Sequence, residues 1–157
     1  MLNVKSKKIQ NILDSQGVAL KVINMAESTR TAAEAAASIG CEVKQIAKSL
    51  IFKTADTHEP VLVIASGTNR VDEKKISALI SHLIKKADPD FVLEKTGFAI
   101  GGIPPLGHKE TIKYIIIDKD LLELSELWAA AGTPFAVFRL TPSQLVDLTH
   151  GQVETIA

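Results

Sequence analysis

The sequence of 157 residues has one cysteine, few aromatic side chains and no net charge, and each of these shortages excludes a class of protein. One cysteine forms no internal disulfide, which excludes a disulfide-stabilised secreted domain. Aromatic residues make up 4% of the chain, so we expect an aliphatic core. Because 18 basic side chains balance 18 acidic ones, bulk electrostatic coating of nucleic acid is excluded, although local recognition of a nucleic-acid end is not.

Long hydrophobic runs are also missing. The densest run, Tyr114 to Ile117, has the length of a strand, far below the roughly 20 residues that span a bilayer. The basic N-terminal segment is not followed by an apolar stretch with a cleavage site, so we expect no secretory signal, no membrane contact and a cytoplasmic location. With 46% hydrophobic residues, the chain has enough apolar surface for one domain spanning residues 1–157.

The neutral total conceals an uneven distribution of charge. Residues 1–117 carry a balance of +4, and residues 118–157 carry −4. The basic side chains of the first part come in small groups, which are Lys5/Lys7/Lys8, Lys44/Lys48, Arg70/Lys74/Lys75, Lys85/Lys86 and Lys109/Lys113. Each group alone is typical of a solvated face, whereas several groups converging on one face would suit a few phosphates.

Local signals predict helices and strands in irregular alternation, and hence a mixed α/β domain rather than a regular parallel sheet. Helices are predicted at 3–16, Thr31 to Gly40, Asp72 to Ser81, Asp88 to Gly97 and Thr141 to Leu148. Strands are predicted at 18–23, 46–52, 60–65, 98–100 and 112–117. Residues 120–131 are ambiguous, because their propensity favours helix while the turn at 132–134 favours a returning strand.

Common catalytic and metal-binding motifs do not occur. The sequence has no glycine-rich nucleotide-binding loop and no Gly-x-Ser-x-Gly elbow. Its four histidines are at least 24 residues apart, which argues against a His/Cys metal site. Cys41 follows a helix stop and is better explained as a small buried hydrophobe than as a nucleophile.

A glycine-proline loop, Gly101-Gly102-Ile103-Pro104-Pro105, is the first feature that suggests chemistry. Consecutive glycines let a backbone approach a ligand closely, and the two prolines stiffen the segment. Such a loop either points N–H groups into a cavity, as an oxyanion hole requires, or is an ordinary tight turn.

Lys48 is the second such feature. In the predicted strand it shares a face with Ile46 and Leu50, whereas Ser49 shares the other face with Ile51. A lysine on an apolar face is costly unless it extends to solvent, pairs, or meets an anionic ligand. Lys48 therefore either reaches water at the sheet end or is placed to meet a phosphate or a developing negative charge.

Five segments of the chain together carry a family resemblance: Thr31–Ala35, Ile46–Leu50, Gly67–Lys75, Gly101–Pro105 and Trp128–Pro134. In this order, over about residues 20–157, they resemble the YbaK/ProX family of aminoacyl-tRNA deacylases. That family is similar to the editing domain of bacterial prolyl-tRNA synthetases. No single segment is specific, but the lysine strand together with the Gly-x-x-x-Pro loop is.

The resemblance implies an α+β fold, with a curled, barrel-like mixed sheet and surrounding helices, in which 126–131 pairs with 134–139. It implies a hydrolase, working without metal or cofactor, that removes a small mischarged amino acid in trans, with tRNA(Pro) as the foremost substrate. Catalysis is then assigned to Lys48, Gly101 and Gly102. Substrate binding is assigned to Ser49, Arg70, Ile103, Pro104, Pro105, His108 and Ala130.

The same resemblance implies that the acceptor end of an aminoacyl-tRNA is the partner, with a synthetase as a transient one, and we expect a monomer. Residues 129–131 are alanines where cysteine-specific members are expected to carry a hydroxyl, which argues against cysteinyl-tRNA. His108 either orients a water or a substrate amine, or takes no part.

Two other functions stay open. The chain could be a non-catalytic module that binds tRNA or a synthetase, or a protein that binds or hydrolyses free aminoacyl esters. Deacylation needs no Ser or Cys nucleophile, because an aminoacyl ester is already activated and a positioned water with a stabilised oxyanion suffices.

Overall fold

The computed structural model describes residues 2–157, and over that range it has one eight-stranded mixed sheet and five α-helices. The helices are α1 (Val4–Ser15), α2 (Ala32–Ile39), α3 (Glu73–Ile80), α4 (Pro89–Thr96) and α5 (Pro142–Thr149). The strands are β1 (Val22–Asn24), β2 (Ile46–Thr54), β3 (Pro60–Ser66), β4 (Ile84–Lys86), β5 (Tyr114–Asp118), β6 (Leu127–Ala130), β7 (Ala136–Leu140) and β8 (Gln152–Glu154). Two short 3₁₀ helices lie at Val43–Gln45 and Lys119–Glu123. The predicted mixed α+β class is confirmed.

The helix ends follow the capping residues in the sequence. The Oγ1 atom of Thr31 accepts a hydrogen bond from the Glu34 N–H at 3.1 Å, and Asp88 caps α4 through the Phe91 N–H in the same way. These bonds satisfy N–H groups that have no partner inside the helix. Gly40 ends α2 in the left-handed conformation, which costs glycine nothing. Within residues 2–157, none of the helices is long and apolar enough to span a bilayer.

The sheet has the order β1-β7-β6-β2-β3-β5-β8, with β4 paired to β2. The hairpin of β2 and β3 is its centre, and the predicted hairpin of β6 and β7 is confirmed as an antiparallel pair. β2 pairs with β3 along one edge and divides its other edge between two strands. Residues 46–47 pair in parallel with β6, and residues 52–54 pair with β4. Residues 48–51, which lie between, have no strand partner on this edge in the described chain, and they form a gap in the sheet.

The two faces of the central hairpin are buried in different clusters. Ala47 and Ile51 face the main cluster, which includes the fully buried Ile9 of α1. Phe52 faces a second cluster with Ile76 of α3. A third, smaller cluster packs α2 against the start of β2 and against β6. Helices therefore cover both faces of the sheet, which explains why every residue of β3 is buried.

Two predicted strands are wrong or shortened. Residues 98–100 form a turn, because the Thr96 hydroxyl accepts the Phe98 N–H at 3.0 Å and donates to the Val92 carbonyl at 2.7 Å, which ties the chain to the end of α4. The strand predicted at 18–23 is confined to β1, because the Gln10 amide occupies the Val22 N–H and the Leu20 carbonyl. In both places a side chain competes for the backbone bonds that a ladder would need.

Candidate functional site

Two adjoining cavities lie at the gap in β2. The first, of about 310 Å³, lies between the gap, the first turn of α2 and β6. The second, of about 580 Å³, lies between the gap, residues 68–73 and residues 86–92. The residues that line both cavities are Lys48, Ser49, Leu50, Ile100 and Ile103. The gap and the 100–103 turn therefore form a shared wall, and both volumes are in the range of small-ligand sites.

Lys48 lies on this shared wall. It is paired with Ala65 of β3 and shares a face with Leu50, as the alternation of the strand predicts. Burial lowers the pKa of the Lys48 ammonium from its ordinary value of 10.5, and the negative charge of Asp118 opposes that effect. A partly desolvated cation beside two cavities is suited to stabilise negative charge, because screening by water is reduced there.

Asp118 is held as a fixed anion at the end of β5. Its Oδ2 atom accepts hydrogen bonds from the Ser66 N–H at 2.9 Å and from the Asn69 amide at 2.8 Å. Its Oδ1 atom accepts from the Asp120 N–H at 3.0 Å. Asp118 is 2% exposed, and the three donors compensate for the burial of its carboxylate. Asn69 thereby orders the segment that carries Arg70 to the rim of the second cavity.

The 99–103 turn gives its two glycines different surroundings. Gly101 has φ +98°, and a Cβ there would lie 2.5 Å from Cγ of Arg30, whose side chain covers it. Gly102 donates its N–H to the Ala99 carbonyl at 3.1 Å and accepts from the Gly132 N–H at 3.0 Å. A Cβ on Gly102 would lie 2.8 Å from the backbone of Thr133. Gly101 lines the first cavity, whereas Gly102 packs the turn against the β6–β7 connection.

The structure brings half of the predicted site residues to the first cavity. Those lining it are Lys48, Ser49, Gly101, Ile103 and Ala130. Arg70 lines the second cavity. The four that lie at neither cavity are Gly102, Pro104, Pro105 and His108. The stiff prolines are buried and hold the turn in place.

His108 is directed away from both cavities. Its Nε2 atom donates to the Pro104 carbonyl at 2.7 Å. Burial lowers the pKa of the His108 imidazole below 6.5, while the bond to Pro104 raises it and the charge of Lys8 lowers it further. His108 stabilises the proline segment through its bond to Pro104. Its position gives no support to its predicted role in substrate binding.

Unpartnered polar atoms mark the first cavity. In the described chain, four buried side-chain polar atoms lack a hydrogen-bond partner: Ser6 Oγ, Thr29 Oγ1, Ser49 Oγ and Trp128 Nε1. Three of their residues, Thr29, Ser49 and Trp128, line this cavity. Native proteins leave few buried polar atoms unpaired, so the grouping of these three residues around one cavity is unusual.

Sequence reasoning missed Thr29, Arg30 and Trp128. Thr29 and Arg30 precede Thr31, the N-cap of α2, and Trp128 belongs to one of the five family segments. The sequence signal that points to Thr29 and Arg30 is the polar run from Ser28 to Thr31, in which only Thr31 is predicted to have a role, as the helix cap. Within residues 2–157, no three His, Cys, Asp or Glu side chains are grouped to hold a metal ion.

The fold and the two cavities define a small α+β protein with Lys48 on a wall shared by both cavities. A model of the aminoacyl-tRNA editing domain matches residues 26–148. An uncharacterised protein of Bacillus subtilis strain 168, YwhH, is 30% identical over 126 residues, covering 80% of this chain and 79% of that protein. The chain belongs to the aminoacyl-tRNA editing domain family.

One further relative and two solved structures are also similar to this chain. A proline–tRNA ligase of Thermosipho melanesiensis is 36% identical over 95 residues, which are 60% of this chain and 16% of that enzyme. A crystal structure proposed to be a trans-editing enzyme for prolyl-tRNA synthetase is 43% identical, with a TM-score of 0.92 over 99% of this chain and 98% of that one. A structure of a hypothetical protein is 27% identical, with a TM-score of 0.88 over 95% and 98% of the two chains. These similarities support the resemblance inferred from the sequence.

Proposed function

We propose that this protein is a trans-editing deacylase, which hydrolyses the ester between a small mischarged amino acid and tRNA without a metal ion. The observation that carries the proposal is the position of Lys48, at the gap of β2 on the wall shared by two cavities. One cavity is small enough for an aminoacyl group and the other is large enough for a nucleoside. The ester would then lie between them, within reach of Lys48.

The second cavity has the chemistry that a terminal adenosine needs. Arg70 and Lys86 line it beside one acidic residue, Glu73, and would supply positive charge for the adjoining phosphates, while Val71 and Ile100 offer apolar surface to the base. The chain has no net charge, which fits a protein that contacts only the acceptor end of the tRNA. Having few basic side chains at the site also permits rapid release of the product.

The reaction requires little from the protein. A water oxygen adds to the ester carbonyl carbon, the bond from that carbon to the ribose oxygen breaks, and the ribose oxygen takes a proton. Negative charge develops on the carbonyl oxygen, where the Lys48 ammonium would stabilise it. The Gly101 N–H, which donates to no other residue in the described part of the chain, is a second donor for that oxygen.

The similarity to a proline–tRNA ligase and to a proposed trans-editing enzyme for prolyl-tRNA synthetase favours tRNA(Pro) as the carrier of the mischarged amino acid. A cytoplasmic location and at most a transient contact with a synthetase are part of the same proposal. The test is deacylation of alanyl-, seryl-, threonyl- and cysteinyl-tRNA(Pro), together with seryl- and glycyl-tRNA(Ala). At least one substrate should be hydrolysed well above the buffer rate, and added chelator should leave that rate unchanged. Binding without hydrolysis of any substrate would instead identify a non-catalytic module. Equal activity on amino-acid methyl esters would identify an enzyme of free esters.

A further inference from the structure

Arg30 lies across the 99–103 turn, at the mouth of the first cavity. Its Cγ atom lies 2.5 Å, and its Nε atom 3.4 Å, from the position that a Cβ on Gly101 would take. The arginine stem therefore rests directly on the glycine backbone, and the two can approach so closely because residue 101 has no side chain.

The backbone of Arg30 is fixed on both sides. Its own N–H donates to Ser28 Oγ at 3.2 Å, and the N–H of the preceding Thr29 donates to the Pro134 carbonyl at 2.7 Å. Thr31, the next residue, caps α2. The side chain thus starts from a fixed point, and its stem packs on the turn before the guanidinium reaches solvent.

The positive charge at this mouth is not balanced by the protein. Arg30 is exposed and belongs to none of the ion pairs within residues 2–157. Lys48 is a second cation on the same cavity wall, and no carboxylate of the described chain lines that wall. A planar guanidinium can bind two oxygens of a phosphate through parallel N–H donors. The mouth of the first cavity is therefore suited to a phosphate.

We infer that Arg30 binds the 5′-phosphate of the terminal nucleoside of the substrate. The inference rests on the proposed function, which puts the ester at the wall shared by both cavities. The anion nearest to that ester in an aminoacyl-tRNA is the 5′-phosphate of the same nucleoside, one ribose away. Arg30 covers Gly101, whose N–H is the proposed donor to the ester carbonyl oxygen, whereas Arg70 lies at the rim of the second cavity. Arg30 thus holds the terminal phosphate, and Arg70 is left for a preceding one.

The first test measures deacylation of the best aminoacyl-tRNA of the panel above by two variants of Arg30. Arg30→Met keeps an unbranched stem over Gly101 and removes the charge, so kcat/KM should fall at least about tenfold. The loss should lie in KM, with kcat changed less than about twofold. Arg30→Lys restores the charge without the planar fork and should recover only part of the loss. The log–log salt slope of tRNA binding should become shallower by about 0.7 in Arg30→Met.

Arg139→Met is the matched control, because Arg139 is also an exposed arginine but lines neither cavity. It removes the same charge and should leave KM, kcat and the salt slope unchanged. The melting temperatures of all variants should agree with that of the unmodified protein, since the Arg30 side chain is exposed and makes no ion pair among the described residues.

The second test uses adenosine and adenosine 5′-monophosphate as inhibitors of deacylation. The monophosphate should inhibit the unmodified protein at a concentration at least about fivefold lower than adenosine does. Arg30→Met should abolish this difference, whereas Arg70→Met should keep it. The comparison isolates the 5′-phosphate, because the two inhibitors differ in nothing else.

Three results would overturn the inference and leave the proposed function intact. They are an unchanged KM in Arg30→Met, equal inhibition of the unmodified protein by the two nucleosides, and a phosphate preference that is lost in Arg70→Met but kept in Arg30→Met. A fall in kcat alone would also overturn it, because it would place Arg30 at the reacting atoms instead. Every aminoacyl-tRNA hydrolysed only at the buffer rate would overturn the proposed function itself.

Discussion

The carboxylate of Asp118 acts on the ammonium of Lys48 and favours its protonated form, against the effect of burial. Asp118 stays in place because three donors hold it: the N–H of Ser66 at the end of β3, the amide of Asn69 in the segment that follows, and the N–H of Asp120. A fixed buried anion can thus keep a partly desolvated lysine charged without forming a close ion pair with it. This arrangement leaves the ammonium available to a substrate.

Lys48→Ala is expected to abolish deacylation while the fold is kept. A partly buried lysine contributes little to stability, so the melting temperature should stay the same or rise slightly. Lys48→Arg should not restore full activity, because a planar guanidinium does not replace a compact ammonium. Activity assays and thermal unfolding of both variants provide the measurement. Lys53→Ala, on the same strand but away from both cavities, is the control and should retain activity. An unfolded or fully active Lys48→Ala protein would contradict the assignment.

Gly101→Ala and Gly102→Ala should both lower deacylation at least about tenfold, equivalent to roughly 1.4 kcal/mol, but for different reasons. An alanine at Gly101 would be strained by the φ of +98°, and its Cβ would collide with the Arg30 side chain. Because the Arg30 side chain can move aside, stability should fall modestly. At Gly102 an added Cβ would collide with the Thr133 backbone. That backbone cannot move aside without separating the 99–103 turn from the β6–β7 connection, so the melting temperature should fall further.

Gly40→Ala separates backbone strain from site geometry. Gly40 has φ +85° with no atom within 4 Å of an added Cβ, and it lies outside both cavities. This variant should lose some stability but keep its rate. If Gly101→Ala keeps the same rate as Gly40→Ala, the turn has no part in the reaction.

Ile103→Val and Ile103→Ala should admit progressively bulkier amino acids while sparing the rate on small ones. Ile103 lines both cavities and is 5% exposed, so shortening it enlarges the pocket wall. Truncation to Ala also creates a hole that costs about 2–5 kcal/mol, whereas truncation to Val costs about 0.5–1.5 kcal/mol. The measurement is the ratio of threonyl- to seryl-tRNA rates and the corresponding ratio for valyl-tRNA. Ile64→Val, in the core away from both cavities, should change stability without changing either ratio.

Protonation of His108 should destabilise the fold at acidic pH. Burial lowers the folded-state pKa of His108 below the 6.5 of the unfolded chain, so the unfolded state binds a proton more readily. The associated stability is complete above pH 6.5 and is lost as the pH falls from 6.5 through the lower folded-state pKa. Denaturant unfolding between pH 7.5 and 5 measures this loss. His108→Gln, which keeps a donor for the Pro104 carbonyl, should show a smaller loss over that range, and an equal loss in both proteins would refute the assignment.

Binding of tRNA should be weak and should depend modestly on salt. Counterion release gives a log–log slope of roughly −0.7 for each single-strand phosphate neutralised, so contact with the acceptor end alone predicts a slope between about −1 and −3. Titration of an uncharged tRNA at several salt concentrations provides the slope. Arg70→Ala should make it shallower, because Arg70 lies at the rim of the second cavity. A slope steeper than about −6 would indicate an extended RNA footprint.

Local sequence was sufficient wherever a few adjacent residues decide the structure. Thr31, Asp88 and Thr141 each accept the N–H three residues on, so their helices begin where the sequence predicts. Lys48 faces the side that strand alternation assigns to it, because the period of a strand is two whatever its partners are. The family resemblance added the pairing of β6 with β7, where helix propensity alone left residues 120–131 ambiguous.

Only the tertiary structure decided which residues meet at the cavities. β4 and β8 have three residues each, too few for a pattern, and they exist because a longer strand offers them an edge. The gap in β2 arises from where β6 stops and β4 begins, and these pairings join residues 30 or more positions apart along the chain. For the same reason the chain order of 101–108 did not reveal that Gly101 and Ile103 reach a cavity while Gly102 and His108 turn away. Spacing along the chain fixes neighbours within an element, but the packing of separate elements decides which side chains share a wall.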